Sequence, residues 1–223
     1  MWHVTRSGKF APISKRVAAR AARTPSAQVE RSVIDAAEQL LVTEGIAALT
    51  VRGIAGAAGV APMSVYNHLG GKDGVLDALL VRGFDRLSAA MAEVASDDPY
   101  EDLVEVGRRY RAFGREYPQH YQLMFERAVP DYEPSEMTLG HAHATFKELE
   151  VLVRRAMSAG VIVDADPADV AQTLWSSCHG IVSLELHGMG FCDDLPAHQE
   201  EAAATVLRGL TVAAPARPVA PAE

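Results

Sequence analysis

The apolar residues of this chain recur three to four positions apart over most of its length, and this spacing constrains the fold more than any other feature. After Ser26, a candidate helix cap, Val33, Ala37 and Leu41 fall on one stripe of an amphipathic helix. Apolar and polar residues do not alternate between hairpin turns anywhere, and no internal repeat is present. The sequence therefore predicts an all-α fold.

Capping and breaking residues divide this pattern into about nine helices. Asp166 followed by Pro167 is a strong start signal, because Asp caps a helix and Pro suits its first position. Asp97, Asp98 and Pro99 interrupt the pattern after the fourth helix. The predicted helices cover approximately residues 26–45, 50–58, 62–69, 72–91, 100–116, 121–125, 135–159, 166–188 and 196–213.

Charge is distributed unevenly along the chain, whose net charge is −8. Residues 1–82 carry 10 Lys and Arg against 6 Asp and Glu, whereas residues 83–223 carry 11 against 23. A basic first third is typical of a small module that meets a polyanion. Residues 1–25 contain much of this basic charge, and we expect them to form a flexible arm. The Pro-rich residues 214–223 are expected to be a disordered tail.

Nothing in the sequence indicates export or insertion into a membrane. The chain has no apolar run of about 18 residues that would span a bilayer, and residues 1–25 lack the apolar core of a secretory signal. The two cysteines, Cys178 and Cys192, are not spaced as a C-x-x-C pair. We therefore expect reduced thiols, a cytoplasmic location and no membrane partner.

Residues 50–69, T-V-R-G-I-A-G-A-A-G-V-A-P-M-S-V-Y-N-H-L, carry the pattern of two short helices joined by a tight turn. Ala55 is small enough for the two helix axes to approach, and Gly59 tolerates the positive φ that the turn requires. Pro62 begins the second helix, where its missing N–H is not needed. These features predict a helix-turn-helix, whose second helix enters the major groove of DNA.

Side chains near the start of that second helix are candidates for reading bases. Asn67 can address adenine with two hydrogen bonds, and Met63 can contact a thymine methyl group. The Tyr66 hydroxyl suits a phosphate oxygen, and Lys72 adds a positive charge beside the free N–H groups at the next helix start. The predicted DNA-contacting set is Thr50, Arg52, Pro62, Met63, Ser64, Tyr66, Asn67, His68 and Lys72.

Residues 26–80 resemble the N-terminal domain of the TetR family of bacterial transcriptional regulators. The resemblance rests on A-A-E-Q-L-L-V-T-E-G, L-T-V-R-G-I-A-G-A-A-G-V and Y-N-H-L-G-G-K. It implies a homodimeric repressor that binds a near-palindromic double-stranded DNA operator through residues 26–80. It also implies that residues 81–213 form a helical ligand-binding and dimerisation domain, and that a small-molecule effector bound there releases the operator.

Residues 174–181, L-W-S-S-C-H-G-I, resemble the Trp-x-x-x-His-Gly helix of one subgroup of TetR C-terminal domains. In that subgroup the helix helps to form the dimer interface. The interface expected on this basis contains Trp175, His179, Gly180, Val206 and Leu210.

A cavity for the effector is expected among the helices of the second half. Its acidic balance disfavours a strongly anionic effector. Ordinary core packing is the alternative role for each candidate residue. The candidates, all on apolar helix faces, are Phe113, Tyr121, Met124, Phe125, Phe146 and Trp175.

No cofactor, metal site or catalytic residue is expected from the sequence. His141 and His143 are two positions apart, which places them on different sides of a helix, and no zinc-ligand spacing is present. G-G-K-D, residues 70–73, lacks the earlier glycine and the following Ser or Thr of a phosphate-binding loop.

Two alternative functions remain: an all-α enzyme, and a structural helical dimer that no longer binds DNA. Gly53 and Gly56 favour the second, because the TetR family often has charged residues there and glycine weakens a helix.

Overall fold

The computed structural model describes residues 26–92 and 94–211, which form an all-α protein. The predicted arm, residues 1–25, and the predicted tail, residues 214–223, lie outside the described residues. The helices in chain order are α1 (Ser26–Glu44), α2 (Val51–Ala58), α3 (Pro62–Leu69), α4 (Lys72–Met91), α5 (Pro99–Glu116), α6 (Pro118–Phe125), α7 (Glu136–Ser158), α8 (Pro167–Leu186) and α9 (Leu195–Leu210). The all-α prediction is confirmed.

Helix boundaries follow the capping residues of the sequence at most positions. Oδ1 of Asp166 accepts hydrogen bonds from the N–H groups of Ala168 and Asp169, and Pro167 occupies the first position of α8, as predicted. Ser26 is the first described residue of α1, so its predicted capping role stays a prediction. The interruption after α4 is also confirmed, since α5 begins immediately after Asp98, whose carboxylate caps it.

The first four helices enclose a common core. Its fully buried members come from every one of these helices and include Leu41, Ile54, Val65 and Leu76. Truncating one such leucine to alanine typically costs about 2–5 kcal/mol of unfolding free energy. The orientation of the short helix α3 is therefore fixed by its packing against this core.

Helix α4 joins this core to the rest of the molecule. It runs without interruption from Leu76, in the first core, to Leu87, which packs with Tyr110, Phe113 and Val182 in a separate cluster. A further cluster, which includes Val153 and Leu207, lies among α5, α7, α8 and α9. The domain boundary predicted near residue 80 falls within α4, so any change in the tilt of this helix moves the first core relative to α5–α9.

Two features of the connections were not predicted. Residues Ile46–Ala48 form one turn of 3₁₀ helix between α1 and α2. Ile162 and Thr211 form an isolated antiparallel bridge, and the N–H of Val163 donates a 2.8 Å hydrogen bond to the carbonyl of Leu210. This bridge ties the end of α9 to the loop between α7 and α8.

Candidate nucleic-acid interface and ligand cavity

The connection between α2 and α3 has the geometry of a helix-turn-helix. Oγ1 of Thr50 accepts a 3.0 Å hydrogen bond from the N–H of Gly53 and so caps α2. Gly59 ends α2 at φ 66°, in the left-handed region that favours glycine. Ala61 precedes α3 in extended conformation, and Pro62 occupies its first position. The turn predicted from the sequence is present.

Buried residues on both sides of the turn hold α3 in place. Ile54 and Ala55 of α2 and Val65 of α3 are fully buried in the first core. Val60, within the turn, is half-buried and packs against the same core. Because α3 is anchored from beneath, its outer face stays in a defined position.

The outer face of α3 is exposed to solvent. Met63 and Tyr66 are 63% and 53% exposed, which is unusual for large apolar side chains in a packed helix. Pro62 and Asn67 are also exposed, and Ser64 is half-buried. This face therefore presents a thioether, a phenol, an amide and a hydroxyl together.

Tyr66 lies beside the N-terminus of α4. A Cβ at Gly71 would lie only 3.1 Å from Cε1 of Tyr66, so the ring packs directly on Gly71. Lys72 is the first residue of α4, and within the described ranges no side chain caps this helix start. The free N–H groups and the helix dipole favour an anion at such an end. The two side chains therefore fit a phosphate oxygen at the edge of the α3 face.

His68 occupies a different environment from the other predicted DNA-contacting residues. Its Nδ1 lies 2.9 Å from Oγ of Ser26, within hydrogen-bonding distance, and its side chain is half-buried. This contact joins α3 to the first turn of α1. A base contact by Nδ1 of His68 would require this hydrogen bond to break.

Thr50 and Arg52 are exposed at the start of α2, close to the 3₁₀ turn. A Cβ at Gly53 would lie 2.8 Å from the carbonyl oxygen of Ala48, whereas a Cβ at Gly56 would meet no atom within 4 Å. The close approach of α2 to the turn therefore requires glycine at position 53. Gly53 has a packing role, and only Gly56 weakens α2 without a structural reason in the described residues.

The basic charge of the first third does not come from the helix-turn-helix. Residues 26–82 carry 4 Lys and Arg against 6 Asp and Glu. The excess of basic over acidic residues in 1–82 thus arises from residues 1–25, outside the described part of the chain. Among the predicted DNA-contacting residues, Arg52 and Lys72 are the Lys and Arg side chains.

A cavity of about 980 Å³ lies among helices α4–α9. Met124, Phe125, Phe146 and Trp175, predicted to line a pocket, lie in its wall. Phe113 and Tyr121, which were predicted with them, are not among the lining residues. Both side chains are fully buried in the core behind the wall, on the side of their helical stripes that faces neighbouring helices rather than the cavity.

A chain of hydrogen bonds runs from the cavity wall into the core. Nε1 of Trp175 donates to the Tyr110 hydroxyl at 3.1 Å, which donates to the Tyr121 hydroxyl at 3.1 Å. The Tyr121 hydroxyl lies 2.6 Å from Nδ1 of His179. Burial lowers the pKa of His179 and raises the pKa of Tyr110 to about 12, so both side chains are neutral near pH 7. A neutral His179 can accept a hydrogen bond from the Tyr121 hydroxyl at Nδ1.

The residues predicted to form a dimer interface lie on α8 and α9. His179 stacks on the Tyr121 ring, with centroids 5.5 Å apart, and Trp175 faces the cavity. Gly180 borders open space, while Val206 and Leu210 are half-buried in this single chain. Trp175 and His179 therefore have intramolecular contacts, and the dimer role of all five residues stays a prediction.

An ion cluster that the sequence did not reveal joins α1 to α4 and α6. Glu38 accepts hydrogen bonds from Arg86 and, at 2.7 Å, from Arg82. Nε2 of His120, a fully buried residue, lies 3.0 Å from Oε1 of Glu38. Burial alone would raise the pKa of Glu38, but the two arginines outweigh it and hold this pKa below its usual range. Burial lowers the pKa of His120 despite the neighbouring carboxylate.

A second polar cluster connects the loop between α6 and α7 to α4 by hydrogen bonds. Oδ1 of Asp77 accepts hydrogen bonds from the Tyr132 hydroxyl at 2.7 Å and from the N–H of Ser135 at 3.0 Å. Burial would raise the pKa of Asp77, but these donors, with Thr138, hold it below its usual range. Single polar residues on separate helices give no periodic signal, so neither cluster was predictable from spacing.

Among residues 26–92 and 94–211, no group of three His, Cys, Asp or Glu side chains is close enough to hold a metal ion. Over the same ranges, no helix is both long and apolar enough to cross a bilayer.

Comparisons with known proteins agree with this geometry. Residues 33–79 match "Bacterial regulatory proteins, tetR family", and residues 103–210 match "Tetracyclin repressor-like, C-terminal domain". The HTH-type transcriptional regulator Rv1816 of Mycobacterium tuberculosis is 27% identical over 120 residues, which cover 52% of this chain and 51% of that protein. The chain thus spans about half the length of this curated relative.

Two longer matches extend the comparison. The uncharacterized HTH-type transcriptional regulator Rv0681 of Mycobacterium tuberculosis is 26% identical over 174 residues, covering 77% of each chain. A solved structure of a protein with unknown function from Rhodococcus sp. RHA1 superposes with a TM-score of 0.73 at 26% identity, covering 82% of this chain and 96% of the other.

The fold and the exposed α3 face define a helix-turn-helix regulator with a larger helical second domain. With both of its family domains matched, the chain belongs to the TetR family of bacterial transcriptional regulators, which are DNA-binding proteins and not enzymes. The alternative of an all-α enzyme is therefore set aside. The match to the C-terminal domain does not distinguish the Trp-His-Gly subgroup, which stays a prediction.

Proposed function

We propose that this chain is a homodimeric transcriptional repressor of the cytoplasm that a small-molecule effector releases from a near-palindromic DNA operator. The observation that carries the proposal is the arrangement of α3 and α4. Buried Ile54 and Val65 fix α3 from beneath while its outer face remains exposed. The same α4 that begins beside this face continues to the cavity, where Leu80, Phe84 and Leu87 line the wall.

The exposed groups would fall into two sets on DNA, one that contacts bases and one that contacts phosphates. Asn67, Met63 and Ser64 would contact base edges in the major groove, where amide, methyl and hydroxyl contacts discriminate between base pairs. Tyr66 and Lys72, together at the start of α4, would contact the phosphate backbone and set the orientation of α3. Thr50, Arg52 and Pro62 would contact neighbouring backbone positions.

A dimer would place two copies of α3 in successive major grooves. Recognition helices of such dimers lie about 34–36 Å apart, one helical turn of DNA, so a two-fold axis implies an operator with two inverted half-sites. The faces of α8 and α9 that carry Gly180, Val206 and Leu210 are the proposed subunit contact. Half-buried apolar residues on these helices would become covered in the dimer.

Release would follow from a change in the spacing of the two α3 helices. An effector in the cavity would favour a conformer in which α4 tilts and the two copies of α3 no longer match successive grooves. The effector can shift this equilibrium only by the difference between its affinities for the two conformers.

Selection of sheared genomic DNA by the purified full-length protein, followed by sequencing, tests the DNA-binding part. We expect enrichment of a near-palindrome, which a fluorescence anisotropy titration then confirms as an operator bound by a dimer. The matched control is Asn67→Ala, which should lose the enriched sequence while retaining its oligomeric state. If the folded, dimeric protein enriches no sequence even at low salt, the remaining alternative of a structural dimer without DNA binding is correct.

A further inference from the structure

We infer that the effector held by the cavity is an uncharged, predominantly apolar molecule. The inference rests on the proposed function, because it concerns the ligand of the same cavity. It goes further by assigning the chemical class of that ligand from the wall itself.

The cavity is large and elongated. Its volume of about 980 Å³ is at the upper end of the range for small-molecule sites. Lining residues on α4 extend from Leu80 to Met91, and those on α7 extend from Thr138 to Leu149. Each stretch covers about 16 Å at the helical rise of 1.5 Å per residue. The ligand therefore contacts a long wall on both sides.

The deep part of this wall is apolar. Side chains of Leu87, Val106, Phe125, Phe146 and Ile181 face the cavity from five different helices. An isolated charge transferred from water into such surroundings loses its hydration without gaining a partner, and this is strongly unfavourable. Apolar surface, in contrast, gains free energy in proportion to the area removed from water.

The cationic groups at the rim are already engaged. Arg111 donates from Nε and Nη2 to the two carboxylate oxygens of Glu185, at 2.8 and 2.9 Å. Arg108 donates to Glu101 at 2.9 Å and is more than half exposed. An anionic ligand would have to displace Glu185 from a bidentate pair or use a hydrated arginine. Neither arginine is therefore a free partner for a buried carboxylate or sulfonate.

The anionic groups lie at the outer edge of α9. Glu201 pairs with Arg208 at 2.5 Å and is 68% exposed. Glu200, on the same helix, is also exposed. Water screens carboxylates in such positions, so their attraction for a cation within the cavity is weak. No buried carboxylate lines the cavity among the described residues.

The polar groups inside the wall are neutral and bonded to one another. Trp175 donates to Tyr110, and Tyr110 donates to Tyr121 behind the wall, so neither needs a ligand to satisfy its hydrogen bonds. Cys178, which also lines the cavity, is held as the neutral thiol because burial raises its pKa. The other polar side chains of the lining are Thr138 and Thr145, which donate to Asp77 and to the carbonyl of His141, and His143 and Gln172, which are exposed to solvent. Among the described residues, a ligand therefore meets a buried wall without an unpaired charge, and the remaining polar groups lie at the exposed rim.

A matched pair of probes tests the inference directly. N-phenyl-1-naphthylamine is neutral, and 8-anilino-1-naphthalenesulfonate has the same ring skeleton with a sulfonate added; both fluoresce strongly in apolar sites. We expect the neutral probe to bind with one site per chain and at least about ten times more tightly than the anionic probe. Tetraphenylphosphonium, an apolar cation, should displace the neutral probe only weakly. Equal or tighter binding of either ion would overturn the inference.

Variants locate the bound probe. Ala142 of α7 lines the cavity, whereas Ala144, two positions further, is exposed and does not. Ala142→Phe should reduce affinity for the neutral probe by about tenfold or more, while Ala144→Phe should leave it unchanged. Leu139→Trp, at a half-exposed position in the wall, provides a second occluding variant if Ala142→Phe does not fold. Unchanged binding in folded occluding variants would place the probe elsewhere and overturn the inference.

Operator binding separates this inference from the proposed function. If the neutral probe binds in the cavity and weakens operator affinity, both stand. Binding in the cavity without any change in operator affinity contradicts effector control, yet it leaves the chemical class of the ligand established.

Discussion

The hydroxyl of Thr138 donates a 2.7 Å hydrogen bond to Oδ1 of Asp77 and thereby connects the cavity wall to α4. Thr138 is fully buried on α7 and lines the cavity, whereas Asp77 lies on α4 five residues after Lys72. A ligand that displaces the first turn of α7 must therefore move or break this hydrogen bond. The pair links the cavity to the helix that begins beside the exposed face of α3.

Thr138→Val should weaken communication between ligand and operator. The isosteric change removes the donor to Asp77, which keeps its bonds from Tyr132 and Ser135, so we expect a loss of about 0.5–1.5 kcal/mol in unfolding free energy. The factor by which the ligand weakens operator binding should become smaller, because this factor measures the coupling free energy between the two sites. Thr145→Val is the matched control, because buried Thr145 donates only within α7, to the carbonyl of His141. Equal effects of the two variants would contradict the proposed link.

Asn67→Ala and Lys72→Ala should affect DNA binding in different ways. Loss of the Asn67 amide should cost about 1–3 kcal/mol at its own base pair and relax the sequence preference there. Loss of the Lys72 charge should weaken binding to all sequences and reduce the salt slope by about 0.9. Anisotropy titrations over a range of salt concentrations, with operator and scrambled DNA, measure both. A loss of specificity in both variants would show that Lys72 does not act on the backbone alone.

Removal of residues 1–24 should reduce the salt dependence of DNA binding by more than the Lys72 variant does. The reason is that residues 26–82 carry more acidic than basic side chains, whereas residues 1–25 contain six Lys and Arg and no Asp or Glu. If all six contacted phosphates, the slope would fall by about 5. A full-length variant with these six residues replaced by Gln is the control for deletion effects. An unchanged slope in both proteins would mean that the arm does not contact DNA.

Unfolding free energy should fall as the pH is lowered from 7.5 to 5.5. His120 and His179 have folded-state pKa values below the ordinary value of about 6.5, mainly because of burial. As the pH falls through about 6.5, the unfolded chain therefore binds protons that the folded chain binds only at lower pH. The free energy of unfolding decreases over this range. Urea titrations of wild type, His120→Gln and His179→Gln should show a smaller pH dependence in each variant. A wild-type stability that rises on acidification would contradict the lowered pKa values.

Gly53→Ala and Gly56→Ala should have opposite effects on stability although they are three positions apart on the same helix. A Cβ at position 53 would meet the Ala48 carbonyl, so we expect a loss of about 1–3 kcal/mol from overpacking. A Cβ at position 56 points into open space, and alanine there should stabilise α2 by about 0.5–1 kcal/mol. Urea unfolding measures both. Stabilisation by both substitutions would show that α2 does not need its close approach to the 3₁₀ turn.

Periodicity and capping were sufficient to predict the helices and the turn at Gly59. These signals are local, because a stripe of apolar residues and a cap such as Asp166 act within a few residues of each other. The face of α3 was predictable for the same reason, since anchoring residues such as Val65 fix which side of a short helix remains exposed.

Contacts between distant helices were not predictable in this way. Phe113 and Tyr121 lie on apolar stripes, as Phe125 does, but the stripe does not determine whether a side chain meets a neighbouring helix or a cavity. The pairing of Glu38 with His120 joins residues 82 positions apart, and neither has a sequence neighbour that indicates the other. The 3₁₀ turn next to Gly53 was missed because its close approach is a tertiary property.

Two glycines lie where helices around the cavity approach each other closely. A Cβ at Gly83 would lie 2.7 Å from Sδ of Met124, and one at Gly114 would lie 2.6 Å from Cγ1 of Val182. Helix α4 therefore meets α6, and α5 meets α8, at a separation that admits no additional side chain. Descendants of this protein that acquire a new effector are expected to keep both glycines and Thr138, and to accumulate substitutions elsewhere on α7 and on α9. Ligand specificity could then diverge during evolution while the proposed route from the cavity to DNA remained the same.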